Sequence, residues 1–248
     1  MDFNADGTKS QMILWIRRWF KENADGYGAV VGISGGKDSS VVAALCAEAL
    51  GKEHVTGILM PNGLQNDIDV SKSIVKYLQI KSIEINIEDS YADILNQLSF
   101  YTDLREQTKI NLAPRLRMSV LYAAAQSIRA MVANTSNLSE AWIGYATKYG
   151  DSAGDFAPLL DLTVTEVKAV GYALGLPAEF IEKVPGDGLS GKSDEDNIGF
   201  TYNTLDKYIR TGVCEDIEIK NKIDFLHYKN KFKSLPIQRF EYTPHTKI

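Results

Sequence analysis

Short apolar segments alternate with amphipathic helical segments along much of this 248-residue chain. Strand-like segments fall at residues 28–34, 54–60, 81–87 and 130–133, and helical spacing at residues 8–22, 39–50, 67–78, 90–98 and about 114–129. Strands that are joined through helices by short connections favour a parallel sheet that helices cover on both faces. The alternation therefore predicts an α/β fold with a Rossmann-like open parallel sheet.

The later part of the chain has a weaker pattern. A helix is predicted at residues 163–174, with Thr163 as its cap and Gly175 as its stop, and residues 184–193 are rich in Gly and Ser, which predicts a loop. Hydrophobic residues make up 44% of the chain and charged residues 24%, which is typical of a globular protein and excludes a disordered or fibrous one. We find no repeat or domain boundary, so residues 1–248 are predicted to form a single domain.

Charge and hydropathy exclude several classes of partner. The net charge of −5 argues against a broad nucleic-acid surface, which is normally basic. No apolar run is long enough to span a membrane, and the polar N-terminus does not resemble a secretion signal, so a cytoplasmic protein is expected. Cys46 and Cys214 lie far apart and are expected to be reduced thiols.

The segment Gly32-Ile33-Ser34-Gly35-Gly36-Lys37-Asp38-Ser39 lies where the first strand ends and the next helix begins. Ligands bind at the carboxyl ends of the strands in an open parallel sheet, and a helix start offers free N–H groups to an anion. Gly35 and Gly36 let the backbone approach a phosphate closely. Asp38 fits such a loop if a cation joins it to the phosphates, and Mg²⁺ prefers a few carboxylates together with phosphate oxygens.

Two other phosphate-binding loops do not match this segment. A Walker A loop needs Ser or Thr directly after the Lys, but Asp38 follows Lys37. The spacing of Gly32, Gly35 and Gly36 does not give the Gly-x-Gly-x-x-Gly dinucleotide fingerprint. An ordinary tight turn remains as the structural alternative, although such a turn seldom needs two glycines, two hydroxyls and an acid together.

Ser34-Gly-Gly-x-Asp-Ser39 resembles the pyrophosphate-loop signature of ATP pyrophosphatases. Further segments are similar to those of ammonia-dependent NAD synthetases, namely residues 111–118, 134–140, 144–151, 183–185, 193–195 and 199–202. The resemblance implies a Mg²⁺-dependent enzyme that amidates deamido-NAD with ammonia and cleaves ATP to AMP and pyrophosphate. Two alternatives stay open, a tRNA-modifying ATP pyrophosphatase and a nucleotide-binding regulatory module without turnover.

The resemblance also implies the ligands of individual residues. Predicted ATP-binding residues are Gly32, Ile33, Ser34, Gly35, Gly36, Lys37, Asp38, Ser39, Met60, Thr135, Val164 and Gly186. Predicted deamido-NAD-binding residues are Arg115, Lys148, Asp155, Asn230 and Lys231. Val164, Gly186 and Asn230 depart from the residues that are usual in the family.

The predicted metal ligands are Asp38 and Glu140, and the predicted catalytic residues are Lys37 and Asp151. Asp151 is the candidate for holding ammonium and helping it to lose a proton, because only neutral ammonia is nucleophilic. Glu140, taken alone, is equally compatible with an acid that complements a helix dipole. Residues 144–155 contain three glycines and are predicted to form a mobile loop over the substrate, with solvated loop charges as the alternative.

Two predictions concern assembly and the nitrogen source. Residues 118–132 are apolar around more than one helix face, which predicts a homodimer; a helix buried within one subunit is the alternative. About two dozen residues precede the first strand and contain no cysteine, so no glutaminase domain is expected there. The chain is therefore predicted to use free ammonia and not glutamine.

Overall fold

The computed structural model describes residues 3–64, 68–182 and 193–242. Its sheet has four parallel strands in the order β3-β2-β1-β4. The strands are β1 (Gly28–Gly32), β2 (Val55–Leu59), β3 (Lys81–Glu84) and β4 (Ala130–Ala133). The predicted parallel sheet is confirmed, and the chain crosses from β3 to the opposite edge before it forms β4.

Helices occupy most of the remaining described residues. They are α1 (Ala5–Asn23), α2 (Lys37–Leu50), α3 (Ile68–Leu78), α4 (Glu88–Ser99), α5 (Glu106–Ile128), α6 (Leu138–Ile143), α7 (Val164–Ala173), α8 (Ala178–Ile181), α9 (Asp194–Ile198), α10 (Tyr202–Thr211) and α11 (Ile217–Asn230), with 3-10 turns at Lys52–His54 and Lys231–Lys233. Within the described ranges, none of them has the length and apolar character needed to cross a bilayer.

The two faces of the sheet are buried in separate hydrophobic clusters. Side chains alternate between the faces of a strand, so Ala29 and Val31 of β1 pack in one cluster and Val30 in the other. The first cluster includes residues of α1, α2 and α7, and the second includes residues of α4 and α5. Helices therefore cover both faces, as predicted.

Helix α5 begins earlier than the sequence predicted. The sequence predicts that the helix begins at about Pro114. In the structure it begins at Glu106, and Pro114 lies inside it. Proline lacks an N–H and costs an interior helix one hydrogen bond. The helix nevertheless continues through this position, so the predicted start was wrong.

The cap of α7 was predicted correctly. The Thr163 side chain accepts a hydrogen bond from the Glu166 amide, and the Glu166 carboxylate accepts one from the Thr163 amide, which completes a capping box. Beyond α7, helices α9 to α11 contribute to a third hydrophobic cluster that includes Ile198, Leu205 and Ile223. The loop predicted at residues 184–193 lies outside the described residues except for Ser193, which caps α9.

Candidate active site

The predicted phosphate loop joins β1 to α2 at the carboxyl end of β1. Gly35 has a φ of 81°, which is a left-handed conformation that favours glycine. The Ser39 hydroxyl accepts from the Ser34 amide at 3.3 Å and donates to the Gly36 carbonyl at 3.1 Å, so it fixes the loop against the helix start. Helix α2 has no side-chain cap. Its first amides therefore remain available to an anion.

Lys37, the loop residue that begins α2, is buried, with a relative exposure of 2%. Its ammonium group lies 2.9 Å from Asp38 Oδ2 and 5.8 Å from the centre of the Tyr202 ring. Burial alone lowers the pKa of Lys37, but the charges of Asp38, Glu140 and Asp194 outweigh burial, so the pKa is raised above its ordinary value. Lys37 is therefore protonated and supplies the positive charge among these acids.

Helix α6 brings Glu140 toward Asp38. Asn137 caps α6 by accepting from the Glu140 amide at 3.0 Å, and it donates to Asp38 Oδ1 at 3.1 Å. Burial, together with the charge of Asp38, raises the pKa of Glu140 to about 8, although Lys37 opposes this shift. The two acids belong to one electrostatic cluster, as their predicted shared role requires.

Asp38 and Glu140 line a cavity of about 110 Å³. The other lining residues are Ser34, Ser39, Thr135, Ser136, Tyr145, Ala146 and Asp151. Carboxylate and hydroxyl oxygens are the ligands that Mg²⁺ prefers, and the charge of a divalent cation would oppose the burial and the charge of Asp38, which raise the pKa of Glu140. The donor set therefore fits the predicted metal.

Asp151 reaches the same cavity from the loop that follows α6. Its Oδ1 accepts from the Thr147 amide at 2.6 Å. Burial raises the pKa of Asp151, while hydrogen bonds from backbone amides and the charge of Lys233 oppose this shift. The Asn134 amide group donates to the carbonyls of Asp151 and Ala153 at 3.2 and 3.1 Å, so it ties this loop to the end of β4.

The two arginines of α5, Arg115 and Arg117, differ in their exposure and in their contacts. Arg117 Nε donates to the Met60 carbonyl at 3.0 Å, and burial lowers the pKa of Arg117, although Asp151 opposes that shift. Arg115 is exposed, and its Nε lies 3.4 Å from the Lys148 carbonyl. The structure thus leaves Arg115 available to a ligand and gives Arg117 a structural contact. The Met60 side chain is buried in the second hydrophobic cluster.

Several of the predicted ligand contacts do not line this cavity. Asp155 Oδ2 accepts from the Val132 amide at 2.8 Å, and Val164 is buried in the third hydrophobic cluster. Lys148 donates to the Phe232 carbonyl at 2.9 Å, and Lys231 is exposed. Asn230 donates to the Ile143 carbonyl at 2.9 Å, and Gly186 lies outside the described residues. The roles of these residues in binding ligands remain predictions.

Sequence reasoning did not assign a role to several site residues. Asn137, Ser136, Tyr145 and Tyr202 lie within segments that carried the resemblance, and that is the signal by which they could have been found. Lys233 had no such signal, yet its ammonium group donates to the Gly144 and Ala146 carbonyls at 2.7 and 3.0 Å.

Residues 9–242 match the family model described as NAD synthase. An NH(3)-dependent NAD(+) synthetase of Thermococcus kodakarensis is 41% identical over 76% of this chain and 74% of its own length. One of Finegoldia magna is 37% identical over 92% of this chain and 96% of its own length. The structure of an NMN synthetase from Francisella tularensis matches with a TM-score of 0.86 and 31% identity, over 99% of this chain and 100% of that one. This chain therefore belongs to the NAD synthase family.

Proposed function

We propose that this chain joins ammonia to deamido-NAD and cleaves ATP to AMP and pyrophosphate. The observation that carries the proposal is one cavity lined by the phosphate loop, two carboxylates from different elements and Asp151. A nicotinate carboxylate oxygen attacks the α-phosphorus, and the bond from that phosphorus to the bridging oxygen breaks. Ammonia then attacks the activated acyl carbon, AMP leaves, and the nitrogen gives up a proton.

The phosphate loop supports the first step. The uncapped amides of α2 and the hydroxyls of Ser34 and Ser39 offer donors to the leaving pyrophosphate. Lys37 belongs to this loop and remains protonated. Its ammonium group, which lies 2.9 Å from Asp38 Oδ2, would add positive charge near the phosphates.

Asp38 and Glu140 would hold Mg²⁺. The ion would neutralise charge on the phosphates, which is the chemistry that a bound divalent metal supplies to such a reaction. Asn137 supports both acids, because it donates to Asp38 and caps the helix that carries Glu140. The protein thereby holds the two carboxylates in place before any ligand arrives.

Asp151 is the proposed proton acceptor for the second step. It lines the cavity, and its Oδ1 is held by the Thr147 amide. A carboxylate there can bind ammonium and take the proton that must leave before nitrogen becomes nucleophilic. A raised pKa brings Asp151 closer to that of a useful base at neutral pH.

The test is pyrophosphate release by the purified protein with ATP and Mg²⁺. We expect release only when deamido-NAD is present, and NAD formation only when ammonium chloride is also added. Pyrophosphate release that does not depend on deamido-NAD would contradict the proposal. A tRNA substrate assayed in parallel addresses the alternative of a tRNA-modifying enzyme.

A second candidate substrate is the deamido mononucleotide. The Francisella structure that matches nearly the whole chain is that of an NMN synthetase. The amidation chemistry is the same for both substrates, since both carry a nicotinate carboxylate. Values of kcat/KM for deamido-NAD and deamido-NMN, measured with the same enzyme preparation, decide between them. A higher value for deamido-NMN would replace deamido-NAD as the substrate.

We further propose that the chain forms one domain and takes its nitrogen from free ammonia. Cys46 is fully buried, and burial raises its pKa to about 12, so it cannot serve as a nucleophile. The Cys214 thiol donates to the Asp216 carbonyl at 3.3 Å. We expect NAD formation with ammonium chloride but not with glutamine that has been freed of ammonia. Comparable rates with the two would reveal an amidotransferase site.

A homodimer through the α5 surface is also proposed. Of the residues of α5, only Ala113 and Ala125 are buried, and Ile110 and Ile128 keep 40% and 43% of their surface exposed. A helix central to one subunit would be covered on all sides, so this exposure favours a partner. Light scattering should give twice the mass of 27.5 kDa. A fully active monomer would reject the dimer.

A further inference from the structure

Three side chains near the end of α11 bind the carbonyl groups at the end of α6. His227 Nδ1 lies 2.8 Å from the Trp142 carbonyl oxygen, and Asn230 Nδ2 lies 2.9 Å from that of Ile143. Lys233 Nζ donates to the carbonyls of Gly144 and Ala146 at 2.7 and 3.0 Å. The three side chains follow one another at intervals of three residues, which places them along one side of a helical segment. We refer to His227, Asn230 and Lys233 as the carbonyl clamp.

The clamped carbonyls need partners from outside their helix. The last carbonyls of any α-helix have no partner within it. The Glu140 carbonyl accepts from the Tyr145 amide and the Ala141 carbonyl from the Gly144 amide, so the turn itself satisfies these two. The clamp supplies donors to the carbonyls that come next. A cation at the C-terminal end of a helix also complements its dipole.

The clamp fits closely against α6. The rings of Trp142 and His227 stack with their centres 4.3 Å apart. A Cβ built on Gly144 would lie 2.2 Å from Asn230 Cβ, so only glycine permits this approach. Gly144 also has a φ of 66°, which favours glycine independently. The contact therefore fixes the position of α6 relative to α11.

The clamp also reaches the loop that carries Asp151. The two carbonyls bound by Lys233 lie on either side of Tyr145, and both Tyr145 and Ala146 line the active-site cavity. Lys148 belongs to this loop, and its ammonium group donates to the carbonyl of Phe232, which lies in the turn after α11. Two lysine contacts, one in each direction, thus connect the turn after α11 to the loop over the cavity.

The positive charge of Lys233 also acts on the carboxylate of Asp151, because it opposes the rise in the pKa of that group. Lys233 is partly buried, and burial lowers its pKa, whereas the charge of Asp151 raises it. Its neighbour Lys229 on the same helix is exposed and donates to neither of these carbonyls. The position of Lys233 is therefore specific among the lysines at the end of α11.

We propose that Lys233 is a positioning residue for the ammonia step, which acts by holding residues 144–151 so that Asp151 faces the cavity. This inference rests on the proposed function, since it assigns Lys233 to the second half of that reaction. Lys233 does not contact the phosphate loop in the structure, and the adenylation step depends on that loop. Loss of Lys233 should therefore impair the use of ammonia more than the formation of the adenylate.

Three variants of the full chain test the proposal. Lys233→Met removes the charge and both hydrogen bonds at similar volume, and Lys233→Arg keeps a charged donor. Lys229→Met makes the same chemical change at the neighbouring exposed lysine and serves as the matched control. Each variant is measured for its thermal midpoint, for deamido-NAD-dependent pyrophosphate release without ammonia, and for NAD formation over a series of ammonium chloride concentrations.

For Lys233→Met we expect adenylation within about threefold of the wild type and a loss of about thirtyfold or more in kcat/KM for ammonia, because small displacements of a catalytic group reduce rates strongly. Lys233→Arg should recover much of this loss, and Lys229→Met should resemble the wild type. Equal losses in adenylation and in ammonia use by Lys233→Met would overturn the proposal, as would a normal ammonia step.

Hydrogen exchange provides a readout that does not depend on turnover. Amides of residues 144–151 should exchange faster in Lys233→Met than in Lys229→Met, while amides of β1 should be unchanged in both. Unchanged exchange in residues 144–151 would reject the positioning role. Absence of deamido-NAD-dependent pyrophosphate release in the wild type would instead reject the proposed function, so the two failures are distinguishable.

Discussion

Gly144 is a position at which a single added methyl group should have a large effect on the site. It ends α6 with a φ of 66° and contacts Asn230 on α11. Gly144→Ala adds a Cβ that would lie 2.2 Å from Asn230 Cβ and 3.4 Å from Asn230 Cα. Real structures do not show two Cβ atoms as close as 2.2 Å. Because the contacted atoms are next to the backbone, α11 must shift away from α6.

Two costs add to give the expected loss of stability. A left-handed conformation costs a residue with a Cβ about 1–2 kcal/mol. Movement of α11 weakens the hydrogen bonds of Asn230 and Lys233, which are worth about 1 kcal/mol for a neutral donor and about 1.5–3 kcal/mol for a charged one. We therefore expect Gly144→Ala to lower the free energy of unfolding by about 3–5 kcal/mol.

Gly212→Ala is the matched control for this experiment. Gly212 also ends a helix, with a φ of 71°, but no atom lies within 4 Å of its added Cβ. Its loss should be the backbone cost alone, about 1–2 kcal/mol. Urea unfolding, followed by circular dichroism, gives both values from the midpoint and slope. Equal losses for the two variants would refute the argument from the contact with Asn230. Replacement of Asn230 by Gly in the Gly144→Ala background should recover part of the loss.

Three further predictions concern the site acids and the thiols. Asp38→Asn should leave the circular dichroism spectrum unchanged. It should reduce deamido-NAD-dependent pyrophosphate release by about 100-fold or more, because a charged metal ligand is worth several kcal/mol in the transition state. Near-normal release at ordinary Mg²⁺ concentration would contradict the proposed role of Asp38. The pKa of Glu140 is raised to about 8, so the folded metal-free protein holds a proton that the unfolded chain releases above its ordinary pKa of 4.5. The thermal midpoint in EDTA should therefore fall as the pH rises from about 5 to 8. The fall should be smaller in Glu140→Gln. Parallel plots of thermal midpoint against pH for the wild type and Glu140→Gln would contradict the raised pKa of Glu140. Buried Cys46 should not react with a thiol reagent in the folded protein. Folded Cys214→Ser should therefore not react with the reagent, and the same variant in denaturant should show one reactive thiol.

The strand and helix pattern was sufficient to predict the sheet, because apolar runs and glycine stops are local signals. Residues 28–34 and 130–133 were predicted as strands, and they contain the central strand β1 and the edge strand β4. The start of α5 was missed, because a proline inside a helix has the same local signature as one at its beginning. The third hydrophobic cluster was missed because its short helices are held by contacts distant in sequence.

Several residues that the sequence pointed to as site residues lie together at one cavity, and their roles stay predictions. The cavity is lined by Ser34, Asp38 and Ser39 of the phosphate loop, together with Thr135, Glu140 and Asp151. The contact of Lys233 with Gly144 joins residues that are remote in sequence, and no local pattern indicates such a pair. The contact of Asp155 with the Val132 amide was also invisible, since it arises from the way the loop returns to β4.

The carbonyl clamp has a consequence for how the protein is made. The phosphate loop and the sheet strands are synthesised well before residues 227–233, which close the contact with α6. On the ribosome, the nucleotide-binding part of the site can form while α11 is still inside the exit tunnel, but the loop that carries Asp151 lacks its contacts with Lys233 until that residue emerges. Competence to bind ATP should therefore precede competence to use ammonia during synthesis.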